Sequence, residues 1–408
     1  MSGTTPWRSA LTRSALPDTA ISHMDEPAIE SRPPFLMISA HDFRSKRQAN
    51  VHFIMREMAH RGPAQFASIG FSPLSLLIED PRASLWRRSN RVERYNNVEC
   101  YLWRTLVHPF SLRRLKLAAL ERPFFRAYER LLPRILRRWI TDAGTIILES
   151  GISVLLFDLI KKLNPRASVI YLCSDALNTI GCASFLEREL SRIASAFDGI
   201  RIPSPQLLSE FPSHCPIYFV PHGMDPIQAN ESSISPYEAG IHLVSLGSML
   251  FDRSFFEIAA VALPDYTFHV IGGGIKAQAL SAPNIRLYGE MPFKQTLAYI
   301  NHAQVGIAPY NGGKVSPYLV DTSMKLMQFE AYGLPAVCPA VAAGNRYGRF
   351  SYEPGNRASI VAAIQAALAL GRFAPRTPLS WKEVADRILS PKSFAGTTLE
   401  GKTPFAPP

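Results

Sequence analysis

Short apolar runs recur along this chain, each followed by a polar break and then by apolar residues spaced three and four apart. FLMISA (35–40), TIILES (145–150), SVIYLCS (168–174) and IYFVP (217–221) are runs of the first kind. The stretch from Asn50 and FLERELSRIASAF (185–197) show the second pattern. A compact apolar run marks a strand buried on both faces, and the three-four spacing marks a helix laid against it. The alternation predicts parallel strands joined by helices. A second series follows: HLVSLGSM (242–249), YTFHVIGGG (266–274), NIRLYGE (284–290), VGIAPY (305–310) and PAVCP (335–339), with helical spacing over 255–263, 293–302 and 322–332.

Between the two series lies MDPIQANESSISPYEAG (224–240), which has the composition of a linker. The expected architecture is α/β, with two Rossmann-like domains facing across a cleft. The first domain covers 35–223 and the second 241–375. Over 376–408, LSWKEVADRIL (379–389) is a late helix expected to pack back on the first domain. Residues 1–34, rich in Ser, Thr and Pro, read as a flexible extension, and the Pro-rich end after Lys402 as another.

Composition sharpens this picture in three ways. No apolar run approaches the roughly 20 residues of a spanning helix, and the N-terminus lacks the apolar heart of a signal peptide. Cys100, Cys173, Cys182, Cys215 and Cys338 are scattered, without zinc-type spacing, which fits free thiols in a reducing cytoplasm. The formal charge of +11 favours polyanionic partners. Much of it sits in SLRRLKLAALERPFFRAYERLLPRILRRW (111–139), where Arg113, Arg114, Lys116, Arg122, Arg126, Arg130, Arg134, Arg137 and Arg138 interleave with Leu, Phe and Trp. Such a segment either lies on an anionic membrane or packs on a core with a solvated basic face. Membrane contact is the expectation, and no nucleic-acid-binding signature is present.

Candidate chemistry clusters at strand ends. SLGSMLFD (245–252) is a strand, a turn at Gly247 and a helix start, and IGGG (271–274) is another permissive strand end. Backbone N–H groups and a helix dipole at such turns hold anions. There is no GxxxxGK[ST] loop, which argues against simple nucleotide hydrolysis, and no D-x-D triplet to bridge a metal to a diphosphate. In VDTSMKLMQFEAYGLPAV (320–337), Asp321 or Thr322 can cap a helix. Lys325 then falls in its first turns and Gln328 lies on the same face, with Tyr310 ending the strand before. A lysine at a helix start suits a phosphate, and a glutamine suits sugar hydroxyls. Asp175, after SVIYLCS, sits where α/β sites form; a turn-capping role is its plainer reading.

Taken in order, SAHDFRSKRQANVHFI, CYLWRTLVHPF, ESGISV, SDALNTI, GIHLVSLGSMLFD, FHVIGGG, YGEM, GIAPY and SMKLMQFEAYGLPAVCP carry a resemblance spanning about 35–389. The chain resembles glycosyltransferase family 70, the bacterial glucuronosyltransferases of xanthan assembly. That resemblance implies a GT-B fold and inverting, metal-independent transfer from UDP-glucuronate. The implied acceptor is a lipid-diphosphate-linked oligosaccharide at the cytoplasmic face of the inner membrane, with the enzyme bound peripherally. It also implies Asp175 as general base, and Met249, Glu290, Tyr310, Met324, Lys325 and Gln328 beside the nucleotide. No cofactor is implied. Glu210, Asp225 and Asp252 match acidic family positions and are ranked as caps or braces. Rival readings are transfer of another UDP-hexose, a UDP-sugar epimerase on the same architecture, and a noncatalytic membrane-bound sugar-nucleotide sensor.

Overall fold

A computed structural model describes residues 34–397, except 46–47, 78–79, 108–120, 226–233 and 312–314. The tails beyond 34–397, part of the 224–240 linker and Arg113, Arg114 and Lys116 of the basic segment therefore lie outside the described residues.

The first sheet is built from β1 (Phe35–Ser39), β2 (Ala64–Phe71), β3 (Val92–Tyr95), β4 (Val98–Arg104), β5 (Thr145–Glu149), β6 (Ser168–Leu172), β7 (Gly199–Ile202) and β8 (Ile217–Phe219). Its order is β3-β4-β2-β1-β5-β6-β7-β8, and every pairing is parallel except β3 with β4. β1 and β5 sit at its middle and are apolar almost throughout, because both of their faces are covered. Helix α1 (Asn50–Ala59) covers one face. Helices α2 (Glu121–Arg130), α3 (Arg134–Asp142), α4 (Phe157–Leu163) and α5 (Ser184–Ile193) cover the other.

The basic segment is revised here. Over its described part it is two helices, α2 and α3, parted by a turn before Pro133. Phe125, Tyr128, Leu136 and Trp139 are buried in the first core. Core packing has claimed these four apolar residues, while Leu131 stays exposed. What α2 and α3 turn outward is Arg122, Arg130, Arg134 and Arg138.

The second sheet has the order β11-β10-β9-β12-β13-β14 and is parallel throughout. Its strands are β9 (Ile241–Leu246), β10 (Tyr266–Ile271), β11 (Ile285–Tyr288), β12 (Val305–Ile307), β13 (Ala336–Pro339) and β14 (Arg349–Tyr352). Helices α6 (Arg253–Ala262), α7 (Phe293–His302), α8 (Leu319–Thr322), α9 (Met324–Ala331), α10 (Ala340–Ala343) and α11 (Arg357–Leu370) accompany it. Gly306 on β12 sets the seat of α9: a Cβ there would come within 2.5 Å of the Phe329 ring, so the bare glycine lets the helix close on the sheet.

Finally α12 (Trp381–Leu389) returns to the first domain, as expected. Ser380 and Glu383 form its capping box. Trp381 stacks on Phe53 of α1 with ring centroids 4.8 Å apart, and Arg61 pairs with Asp386 at 2.6 Å. Strands β2, β3, β4, β7 and β14 are additional to those read from the sequence pattern.

Candidate active site

The carboxyl ends of β1, β5 and β6 meet in one place. Glu149 is the last residue of β5 and is buried. Ser39 Oγ donates to its Oε2, and Ser174 Oγ donates to Oε1 at 3.3 Å. Each hydroxyl is itself held by an N–H: the His41 backbone donates to Ser39 Oγ at 2.8 Å, and Asn50 Nδ2 to Ser174 Oγ at 2.9 Å. N–H groups can only donate, so both hydroxyls point their hydrogens at Glu149. That wiring suits a carboxylate, while burial opposes one. The balance raises Glu149 to about 7, with the nearby charge of Asp175 adding to the burial. His41 Nε2 lies 3.7 Å from Glu149 Oε1; burial, then Arg82, lowers its proton affinity.

Asp175 stands three residues beyond the end of β6, with its backbone N–H donating to Ser150 Oγ at 3.2 Å. Burial pushes its carboxyl above the usual range, while a hydrogen bond from Tyr318 and the proximity of His41 pull it back. The Tyr318 hydroxyl reaches Asp175 Oδ1 at 3.1 Å and Thr179 Oγ1 at 2.7 Å. Tyr318 belongs to the segment leading into α8, so it comes from the other half of the molecule. Asp321 of α8 also crosses: its Oδ2 accepts from Ser204 Oγ at 2.6 Å, and its Oδ1 from Arg346.

The expected helix cap changes accordingly. Asp321 is engaged across the cleft, and Ser323 caps α9 by accepting from the Leu326 N–H at 3.2 Å. Tyr310 is buried, its hydroxyl 2.5 Å from Ser323 Oγ. Lys325 Nζ lies 5.2 Å from the Tyr310 ring centroid. It is buried with no hydrogen-bond partner among the described residues, and burial lowers its pKa to about 7. Burial without a partner disfavours the charged form of an amine, and a neighbouring anion would restore it. Gln328 is half-exposed one turn further on. Met324 packs instead on the core between the first sheet and helices α1 and α12.

At the ends of β9, β10 and β11, Gly247, Gly272 and Glu290 come together. A Cβ on Gly272 would stand 3.7 Å from Glu290 Cγ and 4.0 Å from the Gly247 Cα. Gly247 has φ +72°, with open space where a side chain would be. Its N–H, expected to face phosphate, donates to Ile271 O at 2.8 Å and is spent within the sheet. Met249 is exposed on the turn that follows. That turn is tied to the Tyr310 strand, with Asp252 N donating to Pro309 O at 2.7 Å and Asn311 N to Leu250 O at 2.8 Å. These two clusters of the second half are therefore neighbours. Asp252 caps α6 and Asp225 pairs with Arg56 at 2.7 Å, which are structural tasks. Glu210 ends a short 3-10 turn, half-exposed, with burial raising its carboxyl.

Residues 37–203 match the family model described as the N-terminal domain of the glucuronosyltransferase GumK. Over 377 residues the chain is 44% identical to a protein of Xanthomonas campestris pv. campestris named UDP-glucuronate:glycolipid 2-beta-glucuronosyltransferase, covering 92% of this chain and 94% of that one. The chain belongs to the GumK glucuronosyltransferase family. Like its relatives it is a glycosyltransferase. The fold agrees: the α,α-trehalose-6-phosphate synthase of Burkholderia multivorans superposes with a TM-score of 0.54 at 10% identity, covering 88% of this chain and 92% of that one. The UDP-forming synthase of Burkholderia xenovorans, solved with glucose-6-phosphate, gives 0.55 at 12%, covering 88% and 96%. Both are GT-B enzymes. In this GumK-family chain, sequence reasoning singled out Asp175 and Lys325 but passed over Tyr318, His41 and Glu149. His41 and Glu149 had a signal, since SAHDF and ESGISV place them at strand ends. Tyr318 had none, because only the closure of the two halves brings it to Asp175.

Proposed function

We propose that this protein transfers glucuronate from UDP-glucuronate to a hydroxyl of a lipid-diphosphate-linked oligosaccharide during assembly of a xanthan-like exopolysaccharide. The reading inverts the anomeric centre, uses no metal, and works at the cytoplasmic face of the inner membrane. Donor and acceptor class follow the name of the 44% identical relative. The observation that carries the chemistry is a carboxyl in one half, Asp175, whose proton affinity burial raises, together with a lysine in the other half, Lys325, whose amine is buried with no hydrogen-bond partner among the described residues.

The acceptor O–H gives its proton to Asp175 as its oxygen forms a bond to the sugar C1. The bond from C1 to the UDP oxygen breaks on the opposite face, and UDP leaves with the electron pair. Attack opposite the leaving group inverts C1. Lys325 meets the charge that develops on the diphosphate. The absence of a D-x-D triplet supports a metal-free course. Outward Arg122, Arg130, Arg134 and Arg138 support attachment to an anionic surface, and among the described residues no helix is long and apolar enough to cross a membrane.

A panel of radiolabelled UDP-sugars, incubated with the protein and native membranes with and without EDTA, tests the reading. Glucuronate label alone should enter the lipid fraction, at the same rate in EDTA. Entry of another hexose would replace the donor. Loss of transfer in EDTA, restored by Mg²⁺ or Mn²⁺, would overturn the metal-free course.

A further inference from the structure

The contact between Asp175 and the other half of the molecule goes beyond what the transfer reading needs. Tyr318 is 8% exposed, and its ring packs into the core of the first domain although the chain around it belongs to the second. Its hydroxyl lies 3.1 Å from Asp175 Oδ1 and 2.7 Å from Thr179 Oγ1, with Ser316 also within reach. A phenol carries one hydrogen and can accept another. The Thr179 hydroxyl has an acceptor of its own, the Ala176 carbonyl at 2.8 Å, so Asp175 and Thr179 compete for the single Tyr318 hydrogen, and the charged carboxylate takes the stronger bond. Asp175 Oδ2 accepts no hydrogen bond among the described residues and is left for a substrate proton.

We infer that Tyr318 is a positioning residue for transfer, holding Oδ1 of Asp175 from across the cleft so that Oδ2 faces the acceptor hydroxyl. The inference rests on the reading of Asp175 as the base. Three features make it more than a packing contact. Tyr318 stays a donor throughout the working range, since burial and then the charge of Asp175 push its hydroxyl up to about 12. Its hydrogen bond stabilises the ionised carboxylate, the form a base must have, against the burial that disfavours it. And its segment runs directly through α8 into Ser323 and Lys325, with Asp321 anchoring α8 to Ser204 at 2.6 Å. The half that holds the nucleotide therefore completes the base, and an opened cleft leaves Asp175 without its donor.

Other titratable groups facing Asp175 are His41 beyond β1, Glu149 at the end of β5, and Tyr171 and Cys173 on its own strand or just beyond it. All of them remain in a Tyr318→Phe variant, which removes one oxygen and keeps the buried ring. The sign follows. Without the donor, burial raises the Asp175 carboxyl further, so the acid limb of kcat moves to higher pH. The variant should lose roughly tenfold in kcat near pH 6.5, the range for a hydrogen bond to a charged group. The deficit should shrink towards pH 8.5, with KM for UDP-glucuronate and Kd for UDP unchanged.

Profiles of kcat against pH for the parent, Tyr318→Phe and Asp175→Asn decide the matter. An Asp175→Asn variant with near-parent turnover removes the base reading and this inference with it. If Asp175→Asn is inactive while Tyr318→Phe follows the parent profile, or loses rate equally at every pH, only the positioning role of Tyr318 falls.

Discussion

Lys325 shows how one side chain acquires a function from its surroundings. On an exposed helix it would be an ordinary cation. Here its Nζ is buried over the Tyr310 ring without a hydrogen-bond partner among the described residues, and burial lowers its pKa to about 7. A bound diphosphate would favour the charged form, so the complex holds the proton more tightly than the free protein. UDP affinity should then be highest near or below pH 7 and fall as pH rises to 9, a range in which the terminal phosphate, with a pKa of about 6, is already ionised. Titration calorimetry in two buffers of different ionisation enthalpy should show proton uptake above pH 7. Lys325→Ala should abolish the uptake and weaken UDP by roughly ten- to a hundredfold, corresponding to about 1.5–3 kcal/mol. If Lys325→Ala binds UDP as the parent does, the side chain is only a buried neighbour of Tyr310.

At the scale of elements, α2 and α3 divide their residues between two tasks. Phe125, Tyr128, Leu136 and Trp139 are buried in the first core. Arg126 is turned into a network with Glu129, Asp158 and Glu189, and Arg137 donates to the Leu132 carbonyl at 3.1 Å. Arg130, Arg134 and Arg138 stay exposed, with Arg138 3.5 Å from Asp142. Each free cation near an anionic surface contributes about 1 kcal/mol. Replacing these three by Glu should leave the circular dichroism and thermal midpoint nearly unchanged while releasing the protein from vesicles rich in anionic lipid. Undiminished co-sedimentation would assign attachment to another part of the chain. Changing Arg137 instead would confuse the result, because it also supports the turn between the helices.

For the whole molecule, the decisive element is α12, which leaves the second domain and closes on the first. Trp381 lies fully buried against Phe53 of α1, and Gly223 is bare because a Cβ would come within 3.0 Å of Val384. This strap, with Tyr318 and Asp321 on α8, sets how the halves meet. Trp381→Ala should lower stability by about 3–5 kcal/mol, the usual cost of emptying a large aromatic site, measured by denaturant unfolding. A loss below about 1 kcal/mol would mean that α12 is held by its capping box and the Arg61–Asp386 pair alone.

The alternation of strands and helices, the two-sheet α/β plan and the return of α12 were legible in the chain, because apolar periodicity is a local property and many buried parallel strands read as continuous runs. The edge strands β3 and β14 were harder to read: short or solvated edges lack that run, as Val92–Tyr95, largely exposed, illustrates. Asp175 and Lys325 could be picked out because a residue at a strand end or in a helix's first turn is placed by its own neighbours. Tertiary structure alone decided their state. Burial raised Asp175 and Glu149 and lowered Lys325. The same packing spent the Gly247 N–H on Ile271, drew Asp321 from capping to a cross-cleft bond, and buried Phe125, Tyr128, Leu136 and Trp139 of the basic segment. Tyr318 meets Asp175 across 143 positions of sequence. Spacing along a chain carries no trace of such a contact, since it exists only once two separately packed sheets have closed on each other.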